Sequence, residues 1–119
     1  MINLKSKIFV AGHNGFIGGA IVRKLKDNGY KNIMTVKKSQ LDLTDQKKVL
    51  QFLKKYKPNF IFIAAAKVGG IYSNNKYPAE FIQINLSIQT NIIHSAYLAG
   101  VRDLIFLGSS CVYPKMCKQ

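Results

Sequence analysis

Three glycines at a spacing of three, Gly12, Gly15 and Gly18, fall in the stretch Val10-Ala11-Gly12-His13-Asn14-Gly15-Phe16-Ile17-Gly18. The chemistry such a stretch offers is anion binding by the backbone. Gly12 allows a sharp turn with no Cβ penalty. Gly15 leaves room for a pyrophosphate against the main chain, and Gly18 lets a helix lie close to a strand. The free N–H groups and the positive dipole end of that helix then face the anion. A glycine triplet alone says little, so its context matters. Lys7-Ile8-Phe9-Val10 reads as a strand, and Phe16, Ile17, Ala20, Ile21 and Leu25 recur at helical spacing. The triplet therefore sits where a strand becomes a helix, as a dinucleotide fingerprint requires. On this reading Gly12, His13, Asn14, Gly15, Phe16, Ile17 and Gly18 hold the cofactor. The alternative is a glycine-rich turn with no ligand.

The end of the second strand selects the dinucleotide. NAD-binding proteins usually place an acid there for the ribose hydroxyls. This chain has Lys37 and Lys38, about 20 residues past the glycine turn. Cations in place of the carboxylate favour the 2′-phosphate of NADP; the plainer alternative is two more surface lysines. Asp42, next to Leu43, is placed to reach the adenine amino group, or is a polar turn residue. Ala64, Ala65 and Ala66 end the third strand with small side chains. They permit close approach by a cofactor, or simply tight helix–sheet packing. Asn85 lies on an otherwise apolar helix face and must find partners, in the site or in the fold. Ser109, Ser110 and Cys111 follow the fourth strand, where hydroxyls and a thiol are placed to touch a substrate, although such a run is also common in turns. Cys111 is a candidate acid/base, since free thiols titrate near pH 8.5. A Cys is also often only a small buried hydrophobe. His13 lies where the backbone occupies the phosphate side, and His94 reads as a packing or surface residue. No metal-ligand spacing occurs.

Elements that position these residues alternate along the chain. The first helix runs to about Asp27, and Asn28-Gly29 stops it. Asn32 to Val36 reads as strand two. Thr44 is a plausible N-cap for a helix marked by Val49, Leu50, Leu53 and Tyr56, which Pro58 closes. Asn59 to Ala65 is a continuous apolar run, suited to a strand buried on both faces. Residues 66–76 read as a loop. Pro78 opens a long helix on which Phe81, Asn85, Ile88, Ile92 and Ala96 share a face, and Asp103 to Leu107 is strand four. The order βαβαβαβ implies an α/β fold, a parallel Rossmann-type sheet with helices on both faces. The expected strand order is 3-2-1-4, with the ligand across the C-terminal strand ends. Every loop named above lies at that edge.

Composition bounds the reading. The chain has 119 residues, enough for one domain, and 48% of them are hydrophobic, which argues against a disordered chain. No apolar run suits a membrane span and no signal peptide is evident. Cys111 and Cys117 match neither a redox pair nor a zinc spacing. A cytoplasmic location with reduced thiols is therefore expected. The formal net charge is +13. The lysines are spread over polar helix positions, so a solvated surface is preferred to a nucleic-acid partner.

With these residues in view, the chain resembles the GDP-L-fucose synthases, extended short-chain dehydrogenases. The resemblance is carried by Val10-Ala11-Gly12-His13, Ala64-Ala65-Ala66-Lys67-Val68-Gly69-Gly70-Ile71, Asn74-Asn75 with Tyr77-Pro78-Ala79, Asn91-Ile92-Ile93-His94, and Phe106 to Lys115. Asn14 stands where relatives often carry Arg. The resemblance implies epimerisation beside the ketone of GDP-4-keto-6-deoxy-mannose, then reduction with NADPH. It implies that Ser109 bonds the ketone, that Cys111 is an epimerisation acid/base, that the glycine turn and Lys38 region hold NADP, and that Asn85 supports the polar network. It also implies a GDP-sugar substrate and a homodimer in the complete enzyme. The family's Tyr-x-x-x-Lys pair and substrate domain fall beyond residue 119, so these residues alone are expected to be inactive. A non-catalytic nucleotide-binding fragment and another nucleotide-sugar epimerase or dehydratase are the alternatives.

Overall fold

Strand β1 (Ile8–Ala11) is buried on both faces, and its alternating side chains feed two separate cores. In the computed structural model, which describes residues 2–109 and 116, the other strands are β2 (Ile33–Met34), β3 (Phe60–Ile63) and β4 (Asp103–Phe106). The helices are α1 (Phe16–Asp27), α2 (Gln46–Tyr56), α3 (Ile71–Lys76) and α4 (Pro78–Leu98). All strand pairs are parallel, with Ile8 opposite Ile33 and Phe60, and Phe60 opposite Asp103. The parallel α/β architecture expected from the alternating pattern is present.

The strand order is β2-β1-β3-β4, not the expected 3-2-1-4. The two faces of β1 explain the difference. Ile8 and Val10 pack with Leu25 of α1, with Ile21 and Val22 beside them. Phe9 and Ala11 pack on the opposite face with Val49 and Leu53 of α2 and Ile88, Ile92 and Ala96 of α4. Crossovers of one hand travel in opposite directions when their helices lie on opposite faces. The α1 connection therefore places β2 on one side of β1. The α2 connection returns past β1 and places β3 on the other side, and the α4 connection carries β4 outward beyond it.

Local differences from the expected elements have local causes. Helix α2 is capped by Asp45, whose side chain accepts from the Lys48 N–H, and not by Thr44. Thr44 instead donates to Asp42. The segment read as a loop contains α3, whose last turn closes with the Tyr77 N–H bonded to the Ser73 carbonyl at 3.0 Å. On α2, Val49 and Leu53 are buried while Tyr56 is exposed. On α4, Ile82, Leu86 and Tyr97 are exposed, as are Ile105 and Phe106 on the edge strand β4. Among the described residues no helix is long and apolar enough to cross a membrane.

Candidate functional site

Because β1 and β3 are neighbours whose onward connections leave on opposite faces, a crevice opens at their C-terminal ends. Doubly wound sheets bind ligands at that switch point. A cleft of about 440 Å³ lies there. Gly12 turns the chain out of β1 at φ +89°, and its carbonyl accepts from the Gly15 N–H at 3.0 Å. A Cβ on Gly12 would lie 2.6 Å from the Ala65 nitrogen, so the turn is pressed against the end of β3. At Gly15 a Cβ would meet only the Gly12 carbonyl within 4 Å, which leaves the backbone open to a ligand. Gly15 is the N-cap of α1, with no side-chain cap and no acid in the first turn. The helix N-terminus thus keeps donors and a positive field for an anion.

Gly12, His13, Asn14 and Gly15 line the cleft. Gly18 is buried beneath the turn and acts on packing. Phe16 and Ile17 do not line the cleft; these residues are 92% and 56% exposed. They start a helix whose donors, not whose side chains, face the site.

The segment that follows β2 contributes Val36 and Lys38. Lys37 does not line the cleft. It is exposed, and its backbone forms the turn in which its carbonyl accepts from Gln40 and Leu41. Of the two lysines only Lys38, within that turn, lines the cleft. Leu41, Asp42, Leu43 and Thr44 complete this wall. The Asp42 Oδ1 accepts from the Thr44 N–H at 2.9 Å and from its hydroxyl at 2.7 Å. The backbone bond from Thr44, then its hydroxyl, hold the Asp42 carboxyl below the ordinary aspartate value. The nearby Lys38 charge acts in the same direction.

Ala64, Ala65 and Ala66 form the floor where β3 ends, joined by Lys67 from the next turn and by Glu80 and Ile84 from α4. Asn85 is not among the lining residues. Its Oδ1 accepts from the Lys67 N–H at 2.7 Å, and its Nδ2 donates to the Lys67 carbonyl at 3.0 Å. Both ends of the amide are spent on the backbone of one residue, Lys67, which makes Asn85 a positioning residue for the β3 loop. Lys67 and Glu80 were not singled out by sequence. The available signal was Glu80, Ile84 and Ile88 at a spacing of four, the repeat of one helix face. Ser109 is exposed beyond the end of β4 and does not line the cleft. Cys111 lies outside the described residues.

Comparison with known proteins follows the same outline. Residues 8–119 match the model of the NAD dependent epimerase/dehydratase family. The chain is 56% identical over 119 residues to GDP-L-fucose synthase 1 of Arabidopsis thaliana, covering 100% of this chain and 37% of that one. It is 45% identical over 115 residues to GDP-L-fucose synthase of Escherichia coli, covering 97% of this chain and 36% of that one. The structure of MlghC, a GDP-mannoheptose C4 reductase from Campylobacter jejuni with NADP bound, superposes with a TM-score of 0.94 at 38% identity, covering 99% of this chain and 37% of that one. The chain thus spans little more than a third of the length of these relatives. A family match over nearly all residues, on a parallel sheet with a glycine-turn cleft at its switch point, places this chain in the NAD dependent epimerase/dehydratase family.

Proposed function

We propose that this chain is the NADP-binding part of a GDP-L-fucose synthase. The observation that carries the reading is the cleft, in which an uncapped helix N-terminus, the open Gly15 backbone and the cation Lys38 line one surface. That set fits a diphosphate at the glycine turn and a 2′-phosphate at the end of β2. The relatives support the substrate: two that cover nearly the whole chain are GDP-L-fucose synthases. When bound, the cofactor supplies hydride for reduction of the sugar ketone. Gly12 to Gly15 bind and orient it, Lys38 favours the phosphorylated ribose, and Asn85 holds the Lys67 loop in place.

In the same reading Ser109 donates a hydrogen bond to the substrate ketone. Polarising that oxygen stabilises the enolate formed when a neighbouring C–H is deprotonated. Cys111 is one of the acid/base groups at those carbons. A homodimeric complete enzyme in the cytoplasm accompanies this proposal.

A chimera tests it. This chain replaces the matching first third of the Escherichia coli relative, and the product is assayed for NADPH-dependent conversion of GDP-4-keto-6-deoxy-mannose to GDP-L-fucose. Turnover is expected, with loss of solvent-deuterium exchange beside the ketone in Cys111→Ser. A folded chimera that binds NADPH and does not convert this sugar removes the assignment.

A further inference from the structure

Lys67 enters the cleft wall on a loop that is fixed from several sides. Asn85 holds both its N–H and its carbonyl. Gly69, two residues on, is packed so closely on Phe81 that a Cβ would lie 2.9 Å from the ring Cζ. The Asn74 amide donates to the carbonyls of Gly69 and Gly70. Only the Lys67 side chain retains a choice of partner. Its ammonium is ion-paired with Glu80 and lies 4.9 Å from the Phe81 ring centroid.

The acid in that pair stands out against the composition. The chain has five acidic residues and 18 lysines and arginines. Two of the five, Asp42 and Glu80, line the cleft. Asp42 is engaged by Thr44, whereas Glu80, the sole acid in the α4 sequence, is set against a cleft cation.

We infer that Glu80 sets the affinity of the cleft: it is the internal counter-ion of Lys67, and the phosphoryl oxygens of a dinucleotide compete with it for the Lys67 ammonium. The inference rests on the dinucleotide reading above. Its physical basis is the exchangeability of the pair. The Glu80 side chain is 51% exposed and that of Lys67 29%. Ion pairs this open to solvent are weak, whereas a diphosphate offers more charge and more acceptors. On this basis the effect of Glu80 runs through its pair with Lys67.

The test is fluorescence titration of the chain with NADPH, using wild type, Glu80→Gln, Lys67→Gln and the double variant, each checked for its helical circular-dichroism spectrum. Glu80→Gln is expected to tighten binding about threefold and Lys67→Gln to weaken it by a similar factor. In the Lys67→Gln background, Glu80→Gln is expected to have no further effect, and the gain in the single variant to fade with added salt. A wild-type chain that takes up no NADPH overturns the dinucleotide reading and this inference together. NADPH binding that Glu80→Gln leaves unchanged, or a Glu80→Gln gain that persists without Lys67, overturns the inference alone.

Discussion

Gly18 lies directly under the carbonyl of Gly12: a Cβ on Gly18 would fall 2.1 Å from the Gly12 oxygen. Two glycines six residues apart in sequence thus serve one contact, that of the first helical turn with the end of β1. Gly15, midway between them, has only the Gly12 oxygen within reach of a Cβ, at 3.3 Å. Gly12 and Gly18 are thus committed to packing, and the proposed cofactor role leaves Gly15 for binding, a division that can be measured. Gly18→Ala is expected to destabilise the fold by about 1–3 kcal/mol, as overpacking against a backbone atom does. Gly15→Ala should keep a near-native melting temperature and lose NADPH affinity. A stable Gly18→Ala chain, or Gly15→Ala with undiminished binding, contradicts the assignment.

Lys38 lines the cleft and Lys37 does not, so cofactor choice should follow Lys38 alone. Calorimetric titration should show NADPH binding more tightly than NADH. Lys38→Glu should weaken NADPH by on the order of tenfold and erase or reverse the preference. The same change at Lys37 should leave the ratio unaltered. Equal affinities for the two cofactors in the wild type rule the idea out.

Asn85 spends its amide on the Lys67 backbone. Asn85→Leu leaves that N–H and carbonyl without their partner and should cost about 1–2 kcal/mol. Hydrogen exchange at the Lys67 amide should accelerate by more than exchange in β1. Uniform acceleration across the sheet would show a global loss of stability and no local positioning role.

The Asp42 turn predicts a pH dependence with a definite sign. The folded-state pKa of Asp42 is depressed, first by the Thr44 backbone bond. Its contribution to stability is complete above the ordinary aspartate value and is lost as pH falls through the depressed one. Asp42→Asn should therefore be less stable than wild type near neutrality, and the gap should close in acid below the ordinary carboxylate range. Asp45, lowered mainly by the Lys48 backbone bond, acts in the same window, so denaturation curves of both variants are needed. A gap that is constant with pH assigns the effect to shape and not to charge.

Residues 1–119 alone should show no turnover with NADPH and the keto sugar. Ser109 does not line the cleft, and the spacing Tyr-x-x-x-Lys occurs only at Tyr72 and Lys76 of α3, neither of which lines it. The exposed β4 edge and apolar α4 positions should also cause self-association, since an open strand edge templates pairing. Loss of nicotinamide absorbance followed with sedimentation checks both. A soluble monomer that couples NADPH oxidation to ketone reduction would show that these groups are misplaced.

The sequence by itself determined the parallel α/β class, the strand-to-helix position of the glycine turn and the edge of the sheet that carries the cleft. These follow from side-chain periodicity and from glycine stereochemistry, which are local properties of the chain. It did not determine the strand order, because that depends on which face of β1 receives α2. The apolar positions Val49 and Leu53 would suit either face. Nor did it separate Lys38 from Lys37, whose places turn on direction in space and not on residue type. The pairing of Lys67 with Glu80, 13 residues apart, was decided by tertiary structure alone. It exists only because Asn85 docks the β3 loop onto α4, and no periodicity along the chain records such a contact between neighbouring elements.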